Sequence, residues 1–172
     1  MDEATGGRVV VGVSESLAAL QALRYAVAEA QRRGCPLRAV RVWRAGTPWY
    51  GYDVDLGGIV AGAAAESTIR RSFEEAMGGL PGDLDFELIA VEGMVGPALV
   101  RQASNADDLL VVGAPNRRRW RFMQSTVDQD CVRRASCPVV VVPAPALARN
   151  HRTRALTRAI QREAERIALP PT

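Results

Sequence analysis

Short apolar runs alternate along this chain with longer segments in which apolar residues recur at helical spacing. An apolar run of about four to eight residues, bounded by turn-forming residues, is typical of a strand buried on both faces of a parallel sheet. Five such segments predict strands, at Arg8–Val13, Leu37–Trp43, Asp85–Val91, Asp108–Gly113 and Val139–Val142.

Helices are predicted between these strands. Ser14 and Ser16 are suited to cap the first helix, whose apolar residues run from Leu17 to Ala30 and which ends before Gly34. Further helices are predicted at Ala63–Met77, after Gly96-Pro97 through Ser104 and at Ser125–Ala135, with longer loops at Arg44–Gly62 and Ala114–Gln124.

This alternation predicts an α/β fold with a doubly wound, five-stranded parallel sheet of the Rossmann type. In such sheets a ligand binds beyond the carboxyl ends of the strands, where the strand order reverses. The loops after Val13, Val42 and Gly113 are therefore the expected binding region.

Composition limits the class of protein. The chain has 172 residues, of which 48% are hydrophobic, enough for one domain with its own core. We expect no transmembrane helix and no signal peptide, because no apolar stretch reaches about 18 residues and the first residues are polar. Three scattered cysteines fit a reducing cytoplasm better than a disulfide framework or a zinc site.

Charge divides the chain into two parts. All 22 basic residues are arginine and the only histidine is His151, so lysine chemistry is excluded and a histidine-based catalytic triad is not expected. Residues 1–148 hold 16 Arg against 17 acidic residues, and residues 149–172 hold six Arg against two. We therefore expect a near-neutral domain at 1–148 and a basic helical tail at 149–172.

Four segments, taken in order, carry a more specific pattern. They are V-V-V-G-V-S-E-S-L-A-A-L-Q-A-L-R-Y-A (9–26), V-E-G-M-V-G-P-A-L-V (91–100), A-D-D-L-L-V-V-G (106–113) and A-S-C-P-V-V-V-V-P (135–143). This pattern resembles the universal stress protein family. The resemblance implies helices on both faces of the sheet, a homodimer through the last strand, Val139–Val142, and a site for ATP in many members.

The family's nucleotide signature is only partly matched. In members that bind ATP it consists of Gly, two residues, Gly, about nine residues and Gly-Ser or Gly-Thr, and it brings backbone amides to the phosphates. Gly113 stands at the first glycine, Asn116 replaces the second, and Ser125-Thr126 replaces the last pair after a spacer one residue shorter. Ser14 replaces an acidic residue that helps to hold the nucleoside, whereas Val42 matches the apolar position beside adenine.

The resemblance thus implies a degenerate site for ATP or AMP. Its candidate residues border the carboxyl ends of the strands: Gly12, Val13, Ser14, Val42, Val112, Gly113, Asn116, Ser125, Thr126 and Val127.

Two groups of charges are expected to have opposite effects on the binding of a nucleotide's phosphates. Ser125 and Asp128 have the spacing of a capping box, so Asp128 is expected in the first turn of the next helix, where it would repel a triphosphate. The same loop carries four arginines that are candidate ligands for phosphate or a partner: Arg117, Arg118, Arg119 and Arg121. The sequence leaves the balance between them open.

The basic tail has an amphipathic pattern from about Arg152 to Ala168, with apolar residues on one face and arginines on the other. We expect this helix to dock on the protein's own dimer and not to bind a membrane. Binding of an acidic partner or of nucleic acid through this tail is a further hypothesis, although no nucleic-acid motif accompanies it.

Three hypotheses of function follow. The first is a non-catalytic stress-response regulator that acts by binding an unknown protein or small molecule and has a degenerate nucleotide pocket. The second is a true adenine-nucleotide binder that favours AMP or a cyclic nucleotide, with slow ATP hydrolysis left open. The third is partner or nucleic-acid binding through the tail.

Overall fold

Strands and helices alternate strictly through the described part of the chain. The computed structural model describes residues 7–44, 56–114 and 126–145, and for 56–61 the backbone only. The elements are β1 (Val9–Gly12), α1 (Leu17–Arg33), β2 (Leu37–Trp43), α2 (Leu56–Met77), β3 (Phe86–Glu92), α3 (Val95–Gln102), β4 (Leu109–Gly113), α4 (Val127–Arg134) and β5 (Val139–Val142).

The strands form one sheet in the order β3-β2-β1-β4-β5. All four strand pairings are parallel. Val9 of the central strand pairs with Leu37 on one side and with Leu109 on the other. The predicted doubly wound α/β sheet is confirmed.

A buried core lies on each face of the sheet. Val9 and Val11 contribute to the core under α1 and α2, where Phe73 is the largest fully buried side chain. Val10, between them in sequence, contributes to the core under α3 and α4 together with Leu99. Because successive strand residues point to opposite faces, only a continuous apolar run satisfies both cores.

Helix α1 has the ends that the sequence predicts. The Oγ of Ser16 accepts a hydrogen bond from the backbone N–H of Ala19 at 3.1 Å, which satisfies a donor left free at the helix start. Gly34 ends the helix in the left-handed conformation (φ 63°), which costs glycine less than other residues.

The start of α2 corrects one prediction. The segment Arg44–Gly62 was expected to be a loop because of its glycines, but the helix begins at Leu56. Leu56, Ile59 and Val60 recur at helical spacing, and that apolar periodicity outweighs the weaker helix propensity of glycine. The helix expected after Gly96-Pro97 also begins earlier, at Val95, because proline is tolerated in the first turn of a helix. The remaining boundaries predicted within the described residues differ from the structure by no more than about two residues.

Several predictions fall outside the described residues. Asn116, Ser125, the four arginines from Arg117 to Arg121 and the tail at 149–172 belong to this group. In the ranges 7–44, 56–114 and 126–145, no helix combines the length and apolarity needed to cross a bilayer.

Candidate functional site

The strand order reverses between β1 and β4. The chain leaves β1 for β2 on one side, and it later crosses from β3 to β4 on the other side of β1. In α/β sheets with this strand order, the reversal point is where a ligand crevice forms at the carboxyl ends of the strands. We call this the β1–β4 crevice.

Both strand ends at this crevice carry residues that the sequence identified. Val11 of β1 pairs with Val111 of β4, so the residues that follow each of them reach the same edge of the sheet. The structure thus brings together at this edge Gly12, the last residue of β1, with Val13 and Ser14 after it, and Val112 and Gly113 at the end of β4.

Val42 lies at the same edge, one strand further out. Val40, two residues earlier in β2, pairs with Gly12 at the end of β1, so Val42 lies beyond that end. The Val42 side chain is half-buried and packs against the core under α3 and α4. An apolar, incompletely covered side chain at a crevice is suited to contact the flat face of a base.

The turn from β1 into α1 is polar. The hydroxyls of Ser14 and Ser16 are 3.2 Å apart, and Ser16 is also the cap of α1. Glu15 extends away from them to an ion pair with Arg71 of α2. Arg41 approaches the same turn from β2, since its Nη1 donates to the carbonyl oxygen of Val13 at 3.3 Å.

Gly113 has a structural reason to be glycine. The side of Gly113 on which a Cβ would stand is filled by the backbone of Ala18 and Ala19 in the first turn of α1. This packing accounts for the glycine independently of any ligand. A role in admitting phosphates to the backbone therefore stays a prediction.

Helix α4 begins with the second described residue after the gap that follows β4. Its N-cap is Thr126, whose side chain makes no capping hydrogen bond. The predicted capping box is wrong by one residue. A box formed by Ser125 and Asp128 needs Ser125 as the N-cap, whereas the structure has Thr126 there and the helix begins at Val127. The Oγ1 of Thr126 and the Oδ1 of Asp128 are both buried, with no hydrogen-bond partner among the described residues.

The first turn of α4 is acidic. It holds Asp128 and Asp130. Burial is the main cause that raises the pKa of the Cys131 thiol, to about 11, and the negative charges of Asp130 and Asp128 raise it further. Asp130 forms an ion pair with Arg134 at 3.7 Å, whereas Asp128 has no ion pair among the described residues and lies at the positive end of the helix dipole.

Arg41 is a residue that the sequence analysis missed. It lies between Val40 and Val42 in a strand otherwise suited to burial, and it is only half-buried. A charged side chain near the end of a buried parallel strand is a signal in itself, because it has to find a polar partner or a ligand there.

Comparison with known proteins settles the family. The sequence model of the Universal stress protein family matches residues 7–143, which is most of the chain. The chain belongs to the universal stress protein family. No curated protein matches the sequence at a significant level.

Solved structures of other universal stress proteins share the fold. The UspA protein of Lactobacillus plantarum is 21% identical with a TM-score of 0.61, covering 81% of this chain and 99% of that one. A universal stress protein solved in complex with cAMP is 26% identical with a TM-score of 0.56, covering 81% and 98%. A family protein of Burkholderia pseudomallei is 22% identical with a TM-score of 0.53, covering 83% and 100%.

Proposed function

We propose that this universal stress protein is a binding protein whose β1–β4 crevice takes an adenine nucleotide with a single phosphate in preference to ATP. It acts through the bound state and not through turnover. The observation that carries the proposal is the carboxylate of Asp128, half-buried in the first turn of the helix that faces the phosphate end of the crevice.

The base end of the crevice supports nucleotide binding. Val42 offers partly exposed apolar surface at the carboxyl edge of the sheet, and Ser14 offers a hydroxyl at the same edge. A universal stress protein that is 26% identical over 81% of this chain was solved with cAMP. A nucleoside with a compact phosphate therefore suits this crevice.

The phosphate end argues against ATP. A helix N-terminus favours an anion by about 0.3–1 kcal/mol, and here Asp128 already occupies that field. A triphosphate places more negative charge beside this carboxylate than a monophosphate does. Contacts from Asn116, Ser125 and the arginines from Arg117 to Arg121 would reduce the repulsion, and they stay predictions.

Action by binding is supported by the chemistry that the chain offers. Without lysine, and with one histidine far along the sequence, it lacks the usual pairs of nucleophile and base. The three cysteines are free thiols, and a reducing compartment such as the cytoplasm suits them.

The test is a thermal melt of the full chain with 1 mM cAMP, AMP or ATP with magnesium. A ligand at 100-fold its Kd stabilises by about 2.7 kcal/mol, so binding is visible as a Tm increase of several degrees. We expect the increase with cAMP or AMP and a smaller one with ATP.

Two variants test whether the Asp128 carboxylate is the reason that ATP binds less tightly. Asp128→Asn removes the carboxylate while keeping its shape, and it should raise the affinity for ATP more than the affinity for AMP. Asp107→Asn removes a charge from an exposed position before β4 and should change neither. Equal or tighter binding of ATP by the unaltered protein would contradict the proposal, as would the absence of any adenine-nucleotide effect.

We also propose a homodimer through β5. This strand is at one end of the sheet order and pairs only with β4 among the described strands. An apolar edge strand with one unpaired side is an association surface, because its N–H and C=O groups are free to pair.

A further inference from the structure

The rim of the β1–β4 crevice formed by β1 and β2 holds a cationic side chain. The Nη1 of Arg41 is 3.3 Å from the carbonyl oxygen of Val13, whose peptide bond leads to Ser14. This contact uses one of the five N–H donors of the guanidinium. The group is therefore anchored beside Ser14, and its other donors make no hydrogen bond within the described residues.

The carboxylate nearest in sequence does not neutralise Arg41. Glu15, which follows Ser14, pairs with Arg71 of α2, and Arg71 also lies 3.8 Å from Glu75. Ser14 itself adds a neutral hydroxyl. At the rim formed by β1 and β2, the carboxylate of Glu15 is therefore already paired with Arg71. The Arg41 guanidinium has no carboxylate partner among the described ion pairs.

A ribose site that recognises free 2′ and 3′ hydroxyls typically presents a carboxylate to accept their hydrogen bonds, whereas an arginine there accommodates a phosphate on the sugar. Guanidinium groups suit phosphate because their planar donors match its oxygens and their charge is permanent. Arg41 and Ser14 form the second kind of surface.

The two ends of the crevice therefore have opposite charge. At the α4 end, the carboxylate of Asp128 disfavours a phosphate on the 5′ oxygen. At the β1–β2 end, Arg41 favours one on the other side of the sugar. A ligand whose phosphate is attached to the 2′ or 3′ oxygen matches both ends at once.

We infer that the crevice prefers adenine nucleotides phosphorylated on the 2′ or 3′ oxygen of the ribose, with Arg41 as the residue that determines this specificity. The inference rests on the proposed function, which places a nucleoside in this crevice with its base beside Val42.

Three isomers of one nucleotide provide the test. 2′-AMP, 3′-AMP and 5′-AMP have the same base, sugar and number of phosphates, so calorimetric titration of the full chain reports only where the phosphate is attached. A hydrogen bond to a charged group is worth enough for about a tenfold difference in Kd. We expect 2′-AMP or 3′-AMP to bind about tenfold more tightly than 5′-AMP.

Variants assign the preference to Arg41. Arg41→Met keeps the aliphatic stem and loses the charge, and it should remove the preference, while Arg41→Lys should keep part of it. Arg33→Met makes the same change of charge at the last turn of α1, at the opposite end of the strands, and should leave the preference intact. Circular dichroism and the Tm of each variant verify that it folds.

The outcomes separate the inference from the function it rests on. If 5′-AMP binds as tightly as its isomers, or if folded Arg41→Met keeps their preference, the inference fails while nucleotide binding stands. If none of the isomers and no cAMP binds, both fail. The comparison of isomers on the unaltered chain decides the matter even if Arg41→Met does not fold.

Discussion

Gly113 and Ala19 lie so close that no side chain fits between them. A Cβ on Gly113 would stand 2.7 Å from the backbone nitrogen of Ala19 and 2.8 Å from the carbonyl carbon of Ala18. Backbone atoms in the first turn of α1 cannot rotate aside as a side-chain end can. The end of β4 and the start of α1 therefore define each other's position at the crevice.

Gly113→Ala should destabilise the protein even without any ligand. Overpacking of this kind typically costs about 1–3 kcal/mol, which for a domain of this size lowers Tm by about 2–10 °C. Gly82→Ala is the matched control, because a Cβ there meets nothing within 4 Å and Gly82 has no positive φ. Equal Tm values for the two variants in a thermal melt would contradict the close packing.

Asp108 should be the most sensitive acidic residue on the amino-terminal side of the sheet. Its side chain is 1% exposed and accepts hydrogen bonds from the backbone N–H groups of Arg8 and Asn105, each at 3.0 Å. Asp108→Asn replaces one accepting oxygen by a donor, which leaves one buried N–H unsatisfied and costs about 1–3 kcal/mol in urea unfolding. Asp107→Asn, the same substitution at the exposed neighbouring residue, should lower the free energy of unfolding by less than about 0.5 kcal/mol. A similar loss of stability in both variants would show that the hydrogen bonds of Asp108 do not matter.

The sequence predicted the fold well because the fold depends on local patterns. Mostly apolar segments located β2 and β5 with their observed bounds, and Ser16 and Gly34 marked the ends of α1. The start of α2 was missed because glycines at 57, 58 and 62 resemble loop composition, whereas helix periodicity decided the outcome.

The candidate site was predictable only in part. Its place at the strand ends follows from the alternation of elements, so Gly12, Val13, Ser14 and Gly113 were found. The contact of Arg41 with Val13 was not, because it depends on the register between β1 and β2, in which Gly12 pairs with Val40. The register of the capping residue at α4 was missed for a related reason, since Ser125 and Thr126 are both good caps in sequence.

An ion-pair cluster at the end of α1 should make stability depend on acid pH. Hydrogen bonds from Arg32 and Arg33 lower the pKa of Glu29 to about 2, from the usual 4.5. A carboxylate with a lowered pKa stabilises the folded state above its unfolded pKa, and this contribution disappears as the pH falls from about 4.5 to about 2.

Thermal melts from pH 7 to pH 2.5 measure this contribution. The difference in Tm between the unaltered chain and Glu29→Gln should be largest near pH 7 and should shrink steadily below about pH 4.5. Glu74→Gln, at an exposed position on α2, is the matched substitution for comparison. A difference that stays constant down to pH 2.5 would show that the arginines do not hold Glu29 in its charged form.

The proposed dimer should depend on the outer edge of β5. Val141 is 37% exposed on this strand, and in a two-fold assembly the same edge of both copies meets at the axis. Val141→Lys places two like charges near each other and interrupts an apolar edge, which is how natural sheets prevent edge pairing. Light scattering after size exclusion should therefore give a dimer for the unaltered chain and a monomer for this variant.

Met77→Lys is the control, because Met77 is similarly exposed (36%) and ends α2, the helix packed over β2 and β3. An unaltered chain that is monomeric at micromolar concentration, or a dimer that survives Val141→Lys as well as it survives Met77→Lys, would place the association elsewhere or remove it.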